Sequence, residues 1–103
     1  MSVSTHVLDA VRGVPAAGVA VHLTGASGKG LRSAVTDADG RVPDLAGELE
    51  PGVYRLTFDV AGYLGPDTFY PEVTITFRIA EAAAHHHVPL LLSPFAYSTY
   101  RGS

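Results

Sequence analysis

Hydrophobic and polar residues alternate along several short stretches of this chain, as they do in half-buried β-strands. The alternation is clearest over residues 73–79, where Val, Ile, Phe and Ile are separated by Thr, Thr and Arg. The same period of two over residues 3–9, 19–24 and 54–59 predicts three further strands, each with one buried face. Shorter strands are predicted over residues 31–36, 41–42, 87–92 and 97–101.

Turn-forming segments separate these strands. In Asp37-Ala38-Asp39-Gly40 the short acidic side chains can bond nearby backbone, and the glycine can take a positive φ. Pro43 is expected to end the strand that follows, because proline cannot donate to a ladder. Residues 60–64 are too few for an independent helix but suffice for one packed turn. About eight short strands without a long helix predict an all-β fold, an antiparallel β-sandwich.

Composition narrows the class of protein. A chain of 103 residues predicts one domain over residues 1–103, and 47% hydrophobic against 17% charged residues favours a folded one. The seven Lys and Arg are scattered and the formal net charge is −3, so no nucleic-acid partner is expected. No apolar run approaches the ~20 residues that span a bilayer, and the N-terminus lacks a secretory signal pattern. We therefore expect a cytoplasmic protein with no membrane partner.

Polar chemistry is concentrated in residues 85–103. Three histidines run into an apolar strand, and a polar-aromatic end with one arginine follows. In an extended segment His85 and His87 point to one side and His86 to the other. The histidines alone are compatible with a solvated loop, a site that acts on or binds a small polar molecule, or a zinc site with a further ligand such as His6.

Five motifs in order carry a resemblance to a known family and cover nearly the whole chain. They are Ser4-Thr5-His6-Val7-Leu8-Asp9, Thr36-Asp37-Ala38-Asp39-Gly40-Arg41-Val42, Tyr54-Arg55-Leu56-Thr57-Phe58, Phe69-Tyr70-Pro71-Glu72-Val73 and Tyr100-Arg101-Gly102-Ser103. Together they resemble the transthyretin-related 5-hydroxyisourate hydrolases. The resemblance implies a transthyretin-like sandwich of two four-stranded sheets with one short helix. It also implies a homotetramer, a dimer of dimers with its sites in the groove between the dimers.

The resemblance also implies roles for individual residues. The family's catalytic histidine directly precedes Val-Pro-Leu-Leu-Leu, which is His87 here, and His6 matches its other essential histidine. Arg41 matches the catalytic arginine. His86 departs from the aromatic residue usual in the family, commonly Tyr. The residues expected to bind the substrate or shape its pocket are Tyr100, Arg101 and Ser103, the last with a hydroxyl and a terminal carboxylate.

The implied reaction opens the ring of 5-hydroxyisourate to give 2-oxo-4-hydroxy-4-carboxy-5-ureidoimidazoline, without a cofactor or metal. A planar guanidinium such as that of Arg41 offers paired donors to a flat, oxygen-rich substrate. Since the chain has no Gly-x-Ser-x-Gly nucleophile elbow, we expect an activated water with a histidine as general base. His22 lies in no motif and is expected on a solvent face, and the turn explains Asp37 and Asp39 without catalysis.

Two other classes of function are compatible with the fold. A transthyretin-like carrier would bind a small aromatic ligand in the same groove without reacting it, and a structural sandwich module would bind nothing there. A carrier needs an apolar groove and a structural module needs none of these polar groups. The combination of His6, Arg41, His87 and the C-terminal motif therefore favours the enzyme.

Overall fold

Nine strands and one short helix form within residues 3–103, the part of the chain that the computed structural model describes. They are β1 (Val3–Asp9), β2 (Val14–Pro15), β3 (Ala20–Gly25), β4 (Gly30–Val35), β5 (Arg41–Ala46), β6 (Gly52–Asp59), α1 (Val60–Leu64), β7 (Glu72–Ile79), β8 (His86–Leu92) and β9 (Tyr97–Thr99). The predicted strands and the packed turn at 60–64 are confirmed. The two-residue strand β2 was not predicted, because two residues are too few to show an alternating pattern.

The strands form the two sheets of a sandwich. One sheet has the order β4-β3-β6-β7, and all its pairs are antiparallel. In the other, β8 pairs with β1 and β9, while β2 and β5 share the opposite edge of β1. This second sheet therefore has five strands, and its β1–β8 pair is parallel. The predicted sandwich is confirmed. Its one parallel pair, β1 with β8, was not predicted, because no local sequence pattern indicates it.

Strand β5 continues past Pro43 to Ala46, further than the sequence predicted. The register between β1 and β5 shifts, so that Thr5 pairs with Val42 while Val3 pairs with Ala46. The irregularity leaves Pro43 outside the ladder, which is how a strand accommodates a residue without an N–H group.

The hydrophobic core lies between the two sheets and is built from the alternating apolar positions. Phe58 and Leu56 of β6 and Leu90 and Leu92 of β8 belong to this core, and all four are buried. Each large aliphatic or aromatic side chain removed from water stabilises the fold by roughly 1.5–3 kcal/mol. The buried Thr5 hydroxyl donates to the Val88 carbonyl at 2.6 Å, so the polar group in this core is bonded.

Helix α1 is fixed at both of its ends. The Asp59 carboxylate accepts from the Gly62 N–H and caps the first turn. The Tyr63 hydroxyl donates to the buried Asp9 carboxylate at 2.9 Å and ties the helix to the end of β1. Within residues 3–103, no helix has both the length and the apolar character needed to cross a membrane.

Candidate active site

The pairing of β1 with its neighbours brings the three residues predicted as catalytic to one face of a sheet. His6 lies opposite Arg41 of β5, and Ser4, two residues earlier on β1, lies opposite His87 of β8. Paired residues share a face, as do residues two apart on a strand. His6, Arg41 and His87 therefore lie together on the outer face of the five-stranded sheet, opposite the core.

A turn with little freedom holds Arg41 at the start of β5. The Asp37 carboxylate accepts from the N–H groups of Asp39 and Arg41 at 2.9 and 3.0 Å. Gly40 has φ of 72° and accepts from the Val7 N–H at 2.7 Å, and a β-carbon on Gly40 would collide with the Val7 carbonyl. The Asp37 carboxylate thus serves the turn, as predicted, and the turn sets the position of Arg41 at the start of β5.

A buried serine hydroxyl lies between two of the histidines. Ser4 is 5% exposed, and its Oγ lies 2.7 Å from Nδ1 of His87 and 2.8 Å from Nε2 of His85. His85 and His87 therefore point to the same side, as an extended segment predicts. The sequence interpretation missed Ser4 and His85 as members of the site. The signal was present for Ser4, which stands two residues before His6 and so shares its face.

The surroundings of His87 favour its neutral form. Burial lowers the pKa of His87, and the positive charges of Arg41, His6 and His85 lower it further. A hydrogen bond with the Ser4 backbone acts in the opposite direction and is outweighed. The imidazole therefore keeps a free lone pair at pH values where an ordinary histidine would be partly protonated.

A cleft of about 290 Å³ opens beside these groups. It is lined by Ser4, Thr5, Arg41, Pro43, His85, His87 and Ser103. Ser103 reaches it because the Gly102 N–H donates to the His87 carbonyl at 2.9 Å, in a single antiparallel bridge. A β-carbon on Gly102 would run into the His87 ring, so the glycine of the C-terminal motif permits this close approach.

A second pocket of about 300 Å³ is lined by residues of β7, β8 and β9 and by the two residues that follow β9. His87 lines it as well, whereas Tyr100 and Arg101 line this pocket and not the cleft that holds Arg41 and Ser103. His86 also faces it, and its Nδ1 is buried without a hydrogen-bond partner among the described residues. The three residues of the predicted binding group are therefore divided between two pockets.

Two other sequence interpretations concern groups outside the cleft. His22 is exposed on the other sheet and lies 2.7 Å from the Ser33 hydroxyl, as expected for a solvent-face residue. Across residues 3–103, no group of three or more His, Cys, Asp or Glu side chains is placed to hold a metal ion.

Comparison with known proteins gives a family and its relatives. The sequence model of the HIUase/Transthyretin family matches residues 3–102. The 5-hydroxyisourate hydrolase of Deinococcus radiodurans is 45% identical, over 97% of this chain and 94% of that protein. The uric acid degradation bifunctional protein TTL of Arabidopsis thaliana is 50% identical over 98% of this chain, but the chain spans 37% of its length.

The fold is shared with proteins of more than one function. Sea bream transthyretin, solved in complex with thyroxine, superposes with a TM-score of 0.90 at 34% identity. The match covers 99% of this chain and 95% of that one. Because a transthyretin matches this well, the architecture alone does not separate a hydrolase from a carrier, and the separation depends on the site.

Proposed function

The chain belongs to the HIUase/Transthyretin family, and we propose that it hydrolyses 5-hydroxyisourate in urate degradation. Its similarity to a 5-hydroxyisourate hydrolase over nearly the full length of both proteins supports this activity. The observation that carries the proposal is the cleft in which Arg41, His87 and Ser103 meet. A carrier that only binds an aromatic ligand has no use for a neutral imidazole beside a guanidinium.

In the proposed reaction His87 is the general base. Its Nδ1 is engaged by Ser4, so Nε2 is the ring nitrogen that takes a proton from water. The lowered pKa of His87 keeps that nitrogen unprotonated at neutral pH. The water oxygen then bonds to a ring carbonyl carbon of 5-hydroxyisourate, and the carbonyl electrons move onto its oxygen.

Arg41 is proposed to stabilise that oxyanion. Its guanidinium lies on the same face as His6 and His87, and it offers paired donors to the developing charge. When the carbonyl reforms, the carbon–nitrogen bond breaks and the nitrogen takes a proton. The ring opens to 2-oxo-4-hydroxy-4-carboxy-5-ureidoimidazoline. His6, half-buried beside Arg41, is proposed to orient the water.

Ser103 is proposed to contact the substrate in the cleft, whereas Tyr100 and Arg101, which line the second pocket, are proposed to bound the site from outside the cleft. Tyr100 is 60% exposed in the single chain, which leaves it available to a neighbouring subunit. We propose that residues 1–103 act as one domain and that four copies assemble as a dimer of dimers. The open position of the cleft on the outer face of a sheet supports this assembly, because a second subunit would supply the missing wall. The cytoplasmic location stays a prediction.

The test is direct. Freshly generated 5-hydroxyisourate is followed by ultraviolet absorbance with and without the protein. We expect its decay to accelerate in proportion to protein concentration, and His87→Ala to abolish most of the acceleration while His86→Ala preserves it. Saturable binding of the substrate without faster decay would instead indicate the carrier.

A further inference from the structure

The Ser4 hydroxyl and the two imidazoles that it contacts form a continuous hydrogen-bonded chain. A hydroxyl has one proton to donate and lone pairs with which to accept. Both contacts, at 2.7 Å to His87 and 2.8 Å to His85, are short enough for strong hydrogen bonds. Ser4 is buried, so these imidazoles and not water satisfy its hydroxyl.

When both imidazoles are neutral, the hydrogen bonds through Ser4 can run in either of two directions. In the first, His87 donates from Nδ1 to Ser4, Ser4 donates to Nε2 of His85, and Nε2 of His87 has a free lone pair. In the second, His85 donates from Nε2 to Ser4, Ser4 donates to Nδ1 of His87, and the His87 proton lies on Nε2. The first direction presents a base to the cleft, and the second presents an acid.

We propose that Ser4 and His85 act as a proton relay behind His87, a role that rests on the hydrolysis proposed above. As Nε2 of His87 takes a proton from water, the Nδ1 proton of His87 passes to Ser4 Oγ. The Ser4 hydroxyl proton passes to Nε2 of His85 in the same step. His87 ends neutral with its proton on Nε2, Ser4 is unchanged, and His85 becomes the imidazolium.

The charges around the relay favour this direction of transfer. A cation on His87 would be partly buried and would face Arg41 from β5 and His6 from β1, with His85 beside it. His85 is exposed, so water can solvate the charge there. The relay thus moves the positive charge from the partly buried ring of His87 to the solvent-exposed ring of His85.

The reverse transfer completes the cycle. Once His87 holds its proton on Nε2, it can donate that proton to the departing nitrogen of the substrate. The His85 proton then returns through Ser4 to Nδ1 of His87, which restores the base. One imidazole thereby serves both halves of the reaction, and Ser4 and His85 are positioning residues that act through it.

The kinetic test compares single and double variants. We expect His85→Ala and Ser4→Ala each to lower kcat about tenfold, a part of the effect usual for general acid–base catalysis, with little change in KM. The double variant should lose no more than either single variant, because both break the same chain. His86→Ala, one residue away and facing the other pocket, is the matched control.

Chemical rescue separates a relay from simple ring orientation. Free imidazole in the buffer should restore kcat of His85→Ala, since the exposed end of the chain is open to it. It should not restore kcat of Ser4→Ala, where the buried link is missing. An unchanged kcat in His85→Ala, multiplicative losses in the double variant, or equal rescue of both variants would each overturn the relay.

A measurement without substrate keeps the two proposals apart. Nitrogen-15 NMR of the imidazoles in the free protein should show Nδ1 of His87 and Nε2 of His85 both hydrogen-bonded, and both should lose that bond in Ser4→Ala. Hydrogen-bonded imidazoles in a protein that does not hydrolyse 5-hydroxyisourate would refute the proposed function and leave the hydrogen-bonded chain intact. Hydrolysis by a protein in which neither imidazole is bonded to Ser4 would refute the relay alone.

Discussion

Gly102 and His87 are joined more closely than any other residue type at position 102 would allow. The glycine N–H donates to the histidine carbonyl at 2.9 Å, and the His87 ring fills the space that a β-carbon would need. The backbone of the C-terminal motif therefore sets the position of the ring from one side, while Ser4 sets it from the other. Substitution at Gly102 should displace the base without disturbing the core.

Gly102→Ala is expected to lower kcat/KM by about tenfold or more, because small displacements of a catalytic group cost rate steeply. Thermal unfolding should change little, since Gly102 lies outside the hydrophobic core. Gly30→Ala is the matched control, because a β-carbon there meets open space. A fully active Gly102→Ala protein would show that the C-terminal segment does not hold the ring.

Substitutions at the three residues predicted as catalytic should separate chemistry from folding. His87→Ala, His6→Ala and Arg41→Ala should each lower turnover at least ~100-fold, the scale of losing a general base or an oxyanion donor. His22→Ala and His86→Ala should stay within a few-fold of wild type. If the ultraviolet assay showed equal losses of turnover for His22→Ala and His87→Ala, structural damage rather than loss of a catalytic group would explain them.

In the pH profile of the hydrolysis rate, activity should be lost on the acid side below pH 6.5, the ordinary pKa of histidine. A general base works only when unprotonated, so activity falls as pH drops through its pKa. Because burial and neighbouring charges lower the pKa of His87, activity should persist further into acid than a solvent-exposed histidine would allow.

Arg41→Gln removes one of these charges and should raise the pKa of His87 as measured by NMR titration. Arg55→Gln, on the other sheet, is the charge-matched control and should leave it unchanged. A downward or absent shift in Arg41→Gln would show that the two side chains are not close in solution.

Asp9 should contribute stability that disappears in acid. Burial alone would raise the pKa of Asp9, but hydrogen bonds from the Arg12 and Val11 N–H groups and the Tyr63 hydroxyl outweigh it, and the pKa is lowered. A carboxylate whose pKa is lowered by folding stabilises the fold at pH values above its pKa in the unfolded chain, which is near 3.8. That stabilisation is lost as the pH falls through the pKa of the folded protein. Asp9→Asn should therefore lower Tm near neutral pH and converge on wild type in acid.

Tyr63→Phe removes one of the three hydrogen bonds to the Asp9 carboxylate and keeps the ring. It should cost roughly 1.5 to 3 kcal/mol near neutral pH, the range for a hydrogen bond to a charged group. Unfolding curves at several pH values measure both variants. A difference between Asp9→Asn and wild type that stays constant with pH would show that the carboxylate charge is not what stabilises this corner.

Sedimentation at micromolar concentration should show a tetramer. The cleft lies on the outer face of a sheet, and a partner is needed to enclose a substrate there. A monomer with full activity would remove the shared groove from the proposal and place the whole site in one chain.

The strands could be predicted from the sequence because each depends on a pattern among neighbouring residues. Alternation of residue types over 54–59 and 73–79 depends on one buried face, and the turn chemistry of Asp37 to Gly40 depends on four adjacent residues. Strand β5 beyond Pro43 could not be predicted in this way, because the irregularity that admits the proline exists only against β1. The parallel β1–β8 pair likewise joins segments that no local pattern connects.

The site follows the same division. His6, Arg41 and His87 were predicted from motifs, and alternation agrees with their common face. The contacts of Ser4 with His85 and His87 span more than eighty residues and depend on the exact register of β1 against β8, which the sequence does not state. Tyr100 and Arg101 line one pocket and Ser103 lines the other because of how the C-terminal segment lies against His87. One backbone hydrogen bond, from the Gly102 N–H to the His87 carbonyl, fixes that arrangement.

The parallel pairing of β1 with β8 has a consequence for how the chain folds as it is synthesised. The sheet β4-β3-β6-β7 is built from successive segments, so most of it can assemble while translation continues. Strand β1 is made first but must wait for β8, almost the whole chain later, with Val3 and Val7 still unburied. Contacts this distant in sequence form slowly and leave apolar strands exposed to other chains meanwhile. Nascent chains that lack β8 should therefore be the aggregation-prone and chaperone-dependent species, and they should be inactive because the His87 side of the proposed active-site cleft has not yet been made.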